Sequence, residues 1–312
     1  MQATPTTAAP RWLAAAPVLF LLLWSSGFVF LKLGLAYSDP LTFLALRYAC
    51  VIGLLILPFL WLRPALPATP REWRNLAVTG LLLQAGYFSF VYLSLKSGLS
   101  SGGIALVTSQ QPILVALLAP VLVGERVGLR RWIGLLLGVA GACIVLLSKS
   151  ADEMGATTGG IVFAILALAV ITASTLWEKR HGKDTHPLTA NLVQYGVGLA
   201  VTLPLALALE PMHVEWTGAL FGSLLFLVVG NSIVAISLLL AMIRHGEASR
   251  VSALFFMVPP VTAVIAWLVL GETIPPLGWA GMVLAAWGIR MVMGQPGKTR
   301  GRRMTSQQGD SR

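Results

Sequence analysis

Charged residues are scarce in this chain of 312 residues, and their scarcity excludes a water-soluble fold. Asp, Glu, Lys and Arg make up 11% of the sequence, whereas hydrophobic residues make up 56% and the mean hydropathy is +0.81. Soluble domains carry roughly a quarter charged residues. We therefore predict an integral membrane protein that is surrounded by a lipid bilayer.

Acidic residues and histidines are also missing from the middle of the apolar runs. All 12 acidic residues fall in loops, tails or run ends, and the four histidines lie in loops. A proton relay through a carboxylate at the membrane midplane is therefore not expected. No group of residues has the spacing of a metal-ligand set, so we predict neither a metal site nor a cofactor. Cys50 and Cys143 lie within apolar runs, which favours packing over a disulfide.

The net charge of +10 lies in short loops and in the C-terminal tail rather than on one face, which excludes nucleic-acid binding. With the N-terminus inside, 18 of the 22 Lys and Arg residues fall in inside segments, and three fall in outside segments. Lys and Arg concentrate in cytoplasmic loops of membrane proteins. We therefore expect a multi-pass protein of the cell inner (plasma) membrane with both termini in the cytoplasm.

Ten apolar runs are long enough, or nearly so, to cross a bilayer as helices, which takes about 20 residues. The runs cover residues 13–35, 41–62, 74–95, 101–123, 132–148, 159–178, 188–208, 217–240, 250–270 and 277–293. They are continuous rather than alternating, which excludes the strands of a membrane β-barrel. Residues 1–12 are expected to form a cytoplasmic N-terminal tail, and residues 294–312 a basic, disordered cytoplasmic tail.

One stretch of the sequence occurs twice at a constant distance. Pro112, Gly124-Glu125, Trp132 and Gly141 return as Pro259, Gly271-Glu272, Trp279 and Gly288, always 147 residues later. The chain is therefore predicted to contain two repeats of five spans each, at residues 13–148 and 159–293. Because five is odd, the second repeat must enter the membrane in the opposite sense. Such inverted repeats place a substrate site between them, near the midplane.

Polar residues inside the spans recur at the same offset and are candidates for lining a central cavity. Ser25 corresponds to Thr172, and Gln84 corresponds to Asn231. Helical spacing adds neighbours on the same faces. The predicted substrate-binding residues are Ser25, Phe28, Gln84, Tyr87, Thr108, Gln111, Thr172, Thr175, Asn231, Phe255 and Phe256. The alternatives are hydrogen bonds between helices for the polar members and core packing for the aromatic ones.

Arg47 is a guanidinium within a predicted span, seven residues after Pro40. A charge at such a depth costs at least about 2.5 kcal/mol and therefore needs a partner. Two interpretations stay open: structural pairing with carbonyls or a helix end, and contact with a substrate carboxylate, which the planar donor fork fits. In the second repeat the equivalent residue is Gln194, so the charge is not duplicated.

Two prolines and two glutamates of the repeated stretch have structural interpretations. Pro112 and Pro259 lie inside apolar runs, where proline breaks or bends a helix, so both are predicted to be kinks beside the substrate path. Glu125 and Glu272 lie in short turns at opposite membrane faces. Each carboxylate is predicted to fasten its turn by accepting backbone hydrogen bonds.

The residues now assembled resemble the EamA family of the drug/metabolite transporter superfamily. The resemblance is carried by Leu23-Trp24-Ser25-Ser26-Gly27-Phe28, Pro40-Leu41, Leu46-Arg47-Tyr48, Gly124-Glu125 and Gly134…Gly138…Gly141, and it covers nearly the whole chain outside the tails. It implies an all-α membrane protein with ten transmembrane helices, arranged as two inverted five-helix EamA-type repeats around a central cavity. It also implies transport of small metabolites, often the export of amino acids and their relatives.

The leading hypothesis is therefore a transporter, not an enzyme, that exports amino acids or related small amphipathic metabolites by alternating access. Import of a vitamin or a nucleoside-like solute, and export of a metallophore-type product, are alternatives. An intramembrane hydrolase is a rival of another class, because Gly98-Leu99-Ser100-Ser101-Gly102 matches G-x-S-x-G. A non-transporting membrane scaffold is another.

A glycine series in the fifth span of each repeat permits close helix approach. Its members are Gly134, Gly138 and Gly141 in the first repeat, and Gly278, Gly281 and Gly288 in the second. The series fits either packing within one chain or a seam between two copies. A monomer and a homodimer therefore both stay open.

Overall fold

The computed structural model describes residues 15–122, 128–148, 157–181, 185–235, 237–238, 248–271, 273 and 275–293, and these residues are almost entirely helical. The helices of the first repeat are α1 Ala16–Leu35, α2 Pro40–Leu62, α3 Pro70–Lys96, α4 Ser101–Thr108, α5 Gln111–Leu122 and α6 Leu129–Ser148. Those of the second are α7 Thr158–His181, α8 Pro187–Leu209, α9 Gly218–Ala235, α10 Ala248–Leu270 and α11 Pro276–Met293. Glu125, Glu272 and both tails lie outside the described residues.

Six helices are long and apolar enough to cross a membrane within the described part of the chain: α1, α2, α3, α7, α8 and α9. Shorter apolar stretches, Trp132–Gly141 and Met257–Leu270, lie in α6 and α10. The all-helical, multi-span fold predicted from composition is thus confirmed. Ten spans stay a prediction, because length and composition alone single out six.

Prolines and small polar residues set the starts of several helices. Proline stands in the first turn of α2, α3 and α8, where its missing N–H has no helical partner to lose. The Thr69 side chain accepts a hydrogen bond from the backbone of Glu72, and Thr217 accepts one from Leu220. These side chains satisfy amide groups that the first helical turn leaves open.

The helices of the two repeats pack in reciprocal pairs. Helix α2 lies against α8, and α6 lies against α11, so equivalent helices face each other. Helix α1 packs against α9 and α10, and its counterpart α7 packs against α3, α4 and α5. Each of these helix pairs therefore has a counterpart in which the two repeats are exchanged. This arrangement matches the duplication read from the sequence.

The glycine series packs within the chain. A methyl group on Gly288 would lie 2.5 Å from the Gly134 carbonyl oxygen and 2.7 Å from the Gly138 amide nitrogen. On the partner helix, Gly141 faces the backbone of Gly281 and Ala285 in the same way. The glycines therefore let α6 and α11 approach until their backbones touch, and this seam is occupied by the chain itself.

Beside Pro112 the chain leaves the helical path at Ser109 and Gln110, between α4 and α5. The Ser109 hydroxyl and the Gln110 amide both donate to the Leu106 carbonyl oxygen, at 2.7 and 3.0 Å, and so compete with helical backbone bonds.

In the second repeat α10 runs through Pro259 and Pro260 without ending. Its equivalents of Ser109 and Gln110 are Phe256 and Met257, which have no such donors. An interruption is therefore present beside Pro112 but not at Pro259, where a bend of the continuous helix stays a prediction.

Candidate functional site

A pocket lies between the two repeats and takes side chains from four helices. It is lined by Trp24, Gly27, Phe28 and Leu31 of α1, Arg47 of α2, Tyr87, Phe88 and Val91 of α3, and Leu227 and Asn231 of α9. Four of these residues, Phe28, Arg47, Tyr87 and Asn231, belong to the set predicted from the sequence. The lining is mostly apolar with a few polar groups, a composition that small-molecule sites share. In this state its volume is about 20 Å³, so a solute larger than water enters only after the lining moves.

Two π-helical stretches shape this region. They span Leu81–Phe88 in α3 and Phe226–Ala235 in α9, and they carry the equivalent residues Gln84 and Asn231. The Ser232 hydroxyl donates to the Leu227 carbonyl oxygen, five residues back, at 2.9 Å. Stretches of π-helix are rare and are frequent at functional sites. Their recurrence at equivalent depths indicates that both repeats use the same local distortion.

Arg47 is 2% exposed and is held by neutral side chains. Its Nη2 donates to Asn231 Oδ1 at 3.0 Å and to Ser232 Oγ at 2.9 Å, and its Nε donates to Ser232 Oγ at 3.2 Å. Its Nη1 donates to the Tyr92 hydroxyl at 3.3 Å. Two of the three partners come from α9, so the charge of the first repeat is held mainly by the second.

Aromatic rings complete the surroundings of this guanidinium. Its central carbon lies 4.9 Å from the centroid of the Phe88 ring, within the range of a cation–π interaction. The neighbouring Tyr48 donates its hydroxyl to the Gln84 carbonyl oxygen at 2.7 Å, which ties α2 to the π-helical stretch of α3. The first repeat therefore orients Arg47 through rings and hydroxyl groups rather than through carboxylates.

Sequence reasoning did not identify Tyr92 or Ser232 as functional candidates. Tyr92 lies four residues after Phe88 on α3, and Ser232 directly follows Asn231. Helical spacing from Phe88 could have indicated Tyr92. Ser232 is brought to Arg47 by the π-helical register of α9, for which the sequence carries no signal.

Ser25 and Gln84 are buried beside the pocket but do not line it. They are 0% and 4% exposed, and neither Ser25 Oγ nor Gln84 Oε1 has a hydrogen-bond partner among the described residues. The backbone carbonyl of Ser25 accepts a hydrogen bond from Thr262 of α10 at 3.2 Å. Both side chains therefore lie where the repeats pack together.

The predicted threonines and Gln111 do not line this pocket but form bonds within and between helices, and Thr108 also bonds to the pocket residue Tyr87. Thr172 donates to the Leu168 carbonyl oxygen at 2.7 Å, and Thr108 donates to that of Ile104 at 2.8 Å. Gln111 donates to Thr175, which joins α5 to α7. These contacts fit the alternative of hydrogen bonds that stabilise packing. The side chains of Phe255 and Phe256 lie outside the described residues.

Ser100, the central serine of the G-x-S-x-G match, has a structural role. It precedes the first residue of α4, and its hydroxyl oxygen accepts a hydrogen bond from the Gly103 amide at 3.1 Å. The side chain is 4% exposed. A buried helix cap at a turn between two helices differs from the exposed strand–turn–helix serine of a hydrolase.

At one end of the molecule, called here the Glu210 end, loops of the two repeats are joined by hydrogen bonds. Glu210 accepts three bonds at 2.8 Å, from the Leu41 amide and from the amide and hydroxyl of Thr42. Ser38 and Val214 form an antiparallel β-bridge. These contacts join the loop after α1 and the start of α2 to the loop after α8.

The opposite end, called here the Ala65 end, is also linked by described residues, among them Thr79, whose hydroxyl donates to the Glu178 carboxylate at 2.9 Å. Thr189, which is the repeat equivalent of Thr42, donates to the Ala65 carbonyl oxygen at 3.1 Å. Asn75 donates to the His181 carbonyl oxygen at 3.0 Å. Both ends are therefore linked across the repeats. The equivalent threonines have different acceptors: Thr42 donates to the Glu210 carboxylate, and Thr189 donates to the Ala65 carbonyl oxygen.

Comparisons with known proteins agree with this architecture. The sequence model of the EamA-like transporter family matches residues 11–147 and again residues 158–294. Proteins named probable amino-acid metabolite efflux pump, from Salmonella typhimurium and Escherichia coli, are 26% and 25% identical to this chain, and each match covers 87% of the chain and 91% of the relative. A solved crystal structure with 18% identity, covering 91% of this chain and 98% of its own, has a TM-score of 0.67, which shows a shared fold. The chain belongs to the EamA-like transporter family and is a multi-pass membrane transporter, not an enzyme.

Proposed function

We propose that the protein exports amino acids or related small amphipathic metabolites by alternating access. The observation that carries the proposal is the pocket between the repeats, in which apolar and aromatic side chains surround Arg47 and Asn231. Such a lining suits a solute with an apolar part and a few hydrogen-bonding groups. The relatives named as efflux pumps for amino-acid metabolites support both the substrate class and the direction.

In this proposal the protein lies in the inner membrane of the cell, and both of its termini face the cytoplasm. The two repeats, residues 13–148 and 159–293, cross the membrane in opposite orientations. The lysine and arginine distribution supports this orientation, since it places the Glu210 end outside. At that end Lys96, the last residue of α3, donates to the carbonyl oxygen of Leu35, the last residue of α1, and the Ser38–Val214 bridge joins the loops after α1 and α8. The proposal therefore has these three helices cross the membrane in the same direction.

Alternating access requires that the links at the two ends break in turn. When the Glu210 end opens, the bonds of Glu210 to α2 and the Ser38–Val214 bridge must separate. When the Ala65 end opens, the bond from Thr189 to Ala65 must separate. The state described here, with links at both ends, corresponds to an occluded step of the cycle.

The test compares metabolites inside and outside cells that carry the gene, lack it, or carry a variant. Loss of an exporter raises its substrates inside the cells and lowers them in the medium. Asn231→Leu is expected to behave like the deletion, because it removes a polar group from the pocket. Val234→Leu is the matched control, since Val234 lies on the same helix and is 40% exposed. Depletion inside the cells on deletion would show import and overturn the proposal.

A further inference from the structure

We propose that Arg47 recognises the carboxylate of the transported solute, and that Asn231 and Ser232 hold the guanidinium while the pocket is empty. This inference rests on the proposed transport function and names the group by which the pocket selects its substrate. Arg47 thus alternates between two sets of partners, which are Asn231 and Ser232 in the empty pocket and the carboxylate in the occupied pocket.

The charge of Arg47 is not compensated within the described part of the chain. The side chain is 2% exposed, and none of the described acidic residues forms an ion pair with it. Its described partners are two hydroxyl groups, one amide oxygen and the face of Phe88. A buried cation with only neutral partners keeps much of its desolvation cost, and an anion in contact with it lowers that cost.

The hydrogen bonds of Arg47 also leave room for a better acceptor. A guanidinium has five N–H donors. The contacts to Ser232 from Nε and to Tyr92 from Nη1 measure 3.2 and 3.3 Å, at the long end of the normal range. Nη2 is shared between Asn231 and Ser232. A carboxylate can take two parallel N–H donors at shorter distances, and charge-assisted bonds of this kind are about twice as strong as neutral ones.

The position of Arg47 fits a solute that is polar at one end. It lines the pocket together with Trp24, Phe28, Leu31 and Leu227, which can pack against an apolar side chain. The equivalent position in the second repeat is Gln194, so the repeats offer one guanidinium and not two. The pocket is therefore built for a monocarboxylate with an apolar part, and it discriminates against an amine or amide of the same shape.

Exchange of partners links recognition to the contact between the repeats. Arg47 lies on α2, whereas Asn231 and Ser232 lie on α9 of the other repeat. A carboxylate that takes over the Nη2 and Nε donors releases these two side chains from α2. Substrate binding thereby removes three direct hydrogen bonds between the repeats at the depth of the pocket.

The first experiment profiles the medium of cells that express the wild-type protein, Arg47→Gln or the control Val234→Leu. We expect the exported compounds to carry a carboxylate, and Arg47→Gln to reduce their export by roughly 10- to 100-fold, as the loss of a charged hydrogen-bond partner implies. Val234→Leu is expected to leave export unchanged. An exported set without carboxylates, or undiminished export of carboxylates by Arg47→Gln, would overturn the inference but not the transport function.

A binding measurement on the purified full-length protein separates the two proposals and does not depend on transport. The probes are L-leucine, L-leucinamide and isopentylamine, and the readout is the ligand-induced rise in Tm. We expect the rise with L-leucine alone, its loss in Arg47→Gln, and a larger rise in Ser232→Ala, which removes a competing acceptor but keeps the charge. Equal stabilisation by all three probes, or none by L-leucine, contradicts recognition by Arg47. If deletion of the gene changes metabolite export but the purified protein binds the three probes equally, the transport proposal holds and recognition of a carboxylate by Arg47 does not.

Discussion

The carboxylate of Glu210 accepts hydrogen bonds from the amide and the hydroxyl of Thr42, both at 2.8 Å, although the two residues are 168 positions apart. With a third bond from Leu41, it covers the start of α2, the helix that carries Arg47. A carboxylate is favourable at a helix N-terminus, because it satisfies open N–H groups and faces the positive end of the helix dipole. A loop residue of the second repeat thus fixes the helix of the first repeat that carries Arg47 to the pocket.

Replacement of Glu210 by Ala is expected to destabilise the occluded state. The change leaves two amides and one hydroxyl without their acceptor, and each such loss costs about 1–3 kcal/mol where water does not replace it. A lower Tm of the purified protein is the measurement. Glu215→Gln is the control, because the Glu215 side chain is 57% exposed and its partner His213 is 61% exposed. An equal effect of the two variants would contradict the role given to Glu210.

The pocket distinguishes two residues that the sequence treated as equals. Asn231 lines the pocket and accepts from Arg47, whereas Gln84 is buried beside it, and its Oε1 has no hydrogen-bond partner in the described part of the chain. We expect Asn231→Leu to abolish efflux from proteoliposomes and Gln84→Leu to retain most of it. Because Gln84→Leu removes a buried acceptor that has no bond, it is also expected to raise stability by up to about 1 kcal/mol. Loss of efflux in both variants would place Gln84 in the substrate path instead.

These two residues show what the sequence could predict. The constant offset paired Gln84 with Asn231 and placed both at the depth of the pocket, because a duplication preserves the order of spans. It could not show that Asn231 accepts a hydrogen bond from Arg47. Gln84 has no equivalent cation to bind, because the position equivalent to Arg47 holds the uncharged Gln194. Contacts between repeats depend on how two helical faces meet, and they differ where the copies have diverged.

The helices themselves were more predictable than the site. Apolar run length and the prolines at the starts of α2 and α8 determine where helices form, since lipid forces each segment to satisfy its own backbone. The π-helical stretches could not be predicted from the sequence. In them the backbone hydrogen bonds span five residues instead of four, and no residue type or pattern marks this change. That shift places Ser232 beside Arg47. Glu125 and Glu272 lie outside the described residues, so their turn-fastening role stays a prediction.

The seam between α6 and α11 depends on the absence of a side chain at Gly288. A methyl group there would meet the backbone of Gly134 at 2.5 Å, and a backbone cannot move aside as a flexible side chain can. Gly288→Ala is therefore expected to cost about 1–3 kcal/mol of stability, as overpacking does. Gly138→Ala on the facing helix is the control, since nothing lies within 4 Å of the added methyl group. Thermal unfolding in detergent compares them, and equal Tm values would contradict the close packing.

Export is expected to proceed without an imposed pH gradient. The lining of the pocket contains Arg47 and Tyr87 as its ionisable residues, and no acidic residue or histidine is among them. An arginine stays protonated at any physiological pH, and a tyrosine hydroxyl titrates near pH 10 in water, so neither group gains or loses a proton during transport. Efflux of a preloaded substrate from proteoliposomes should therefore be similar with equal pH on both sides and with a gradient of either sign. The effect of the gradient is measured on Asn231→Leu as well, because efflux from vesicles with this inactive variant reports leakage through the membrane alone. Efflux that starts only when a gradient is imposed would show that a proton site lies elsewhere along the path.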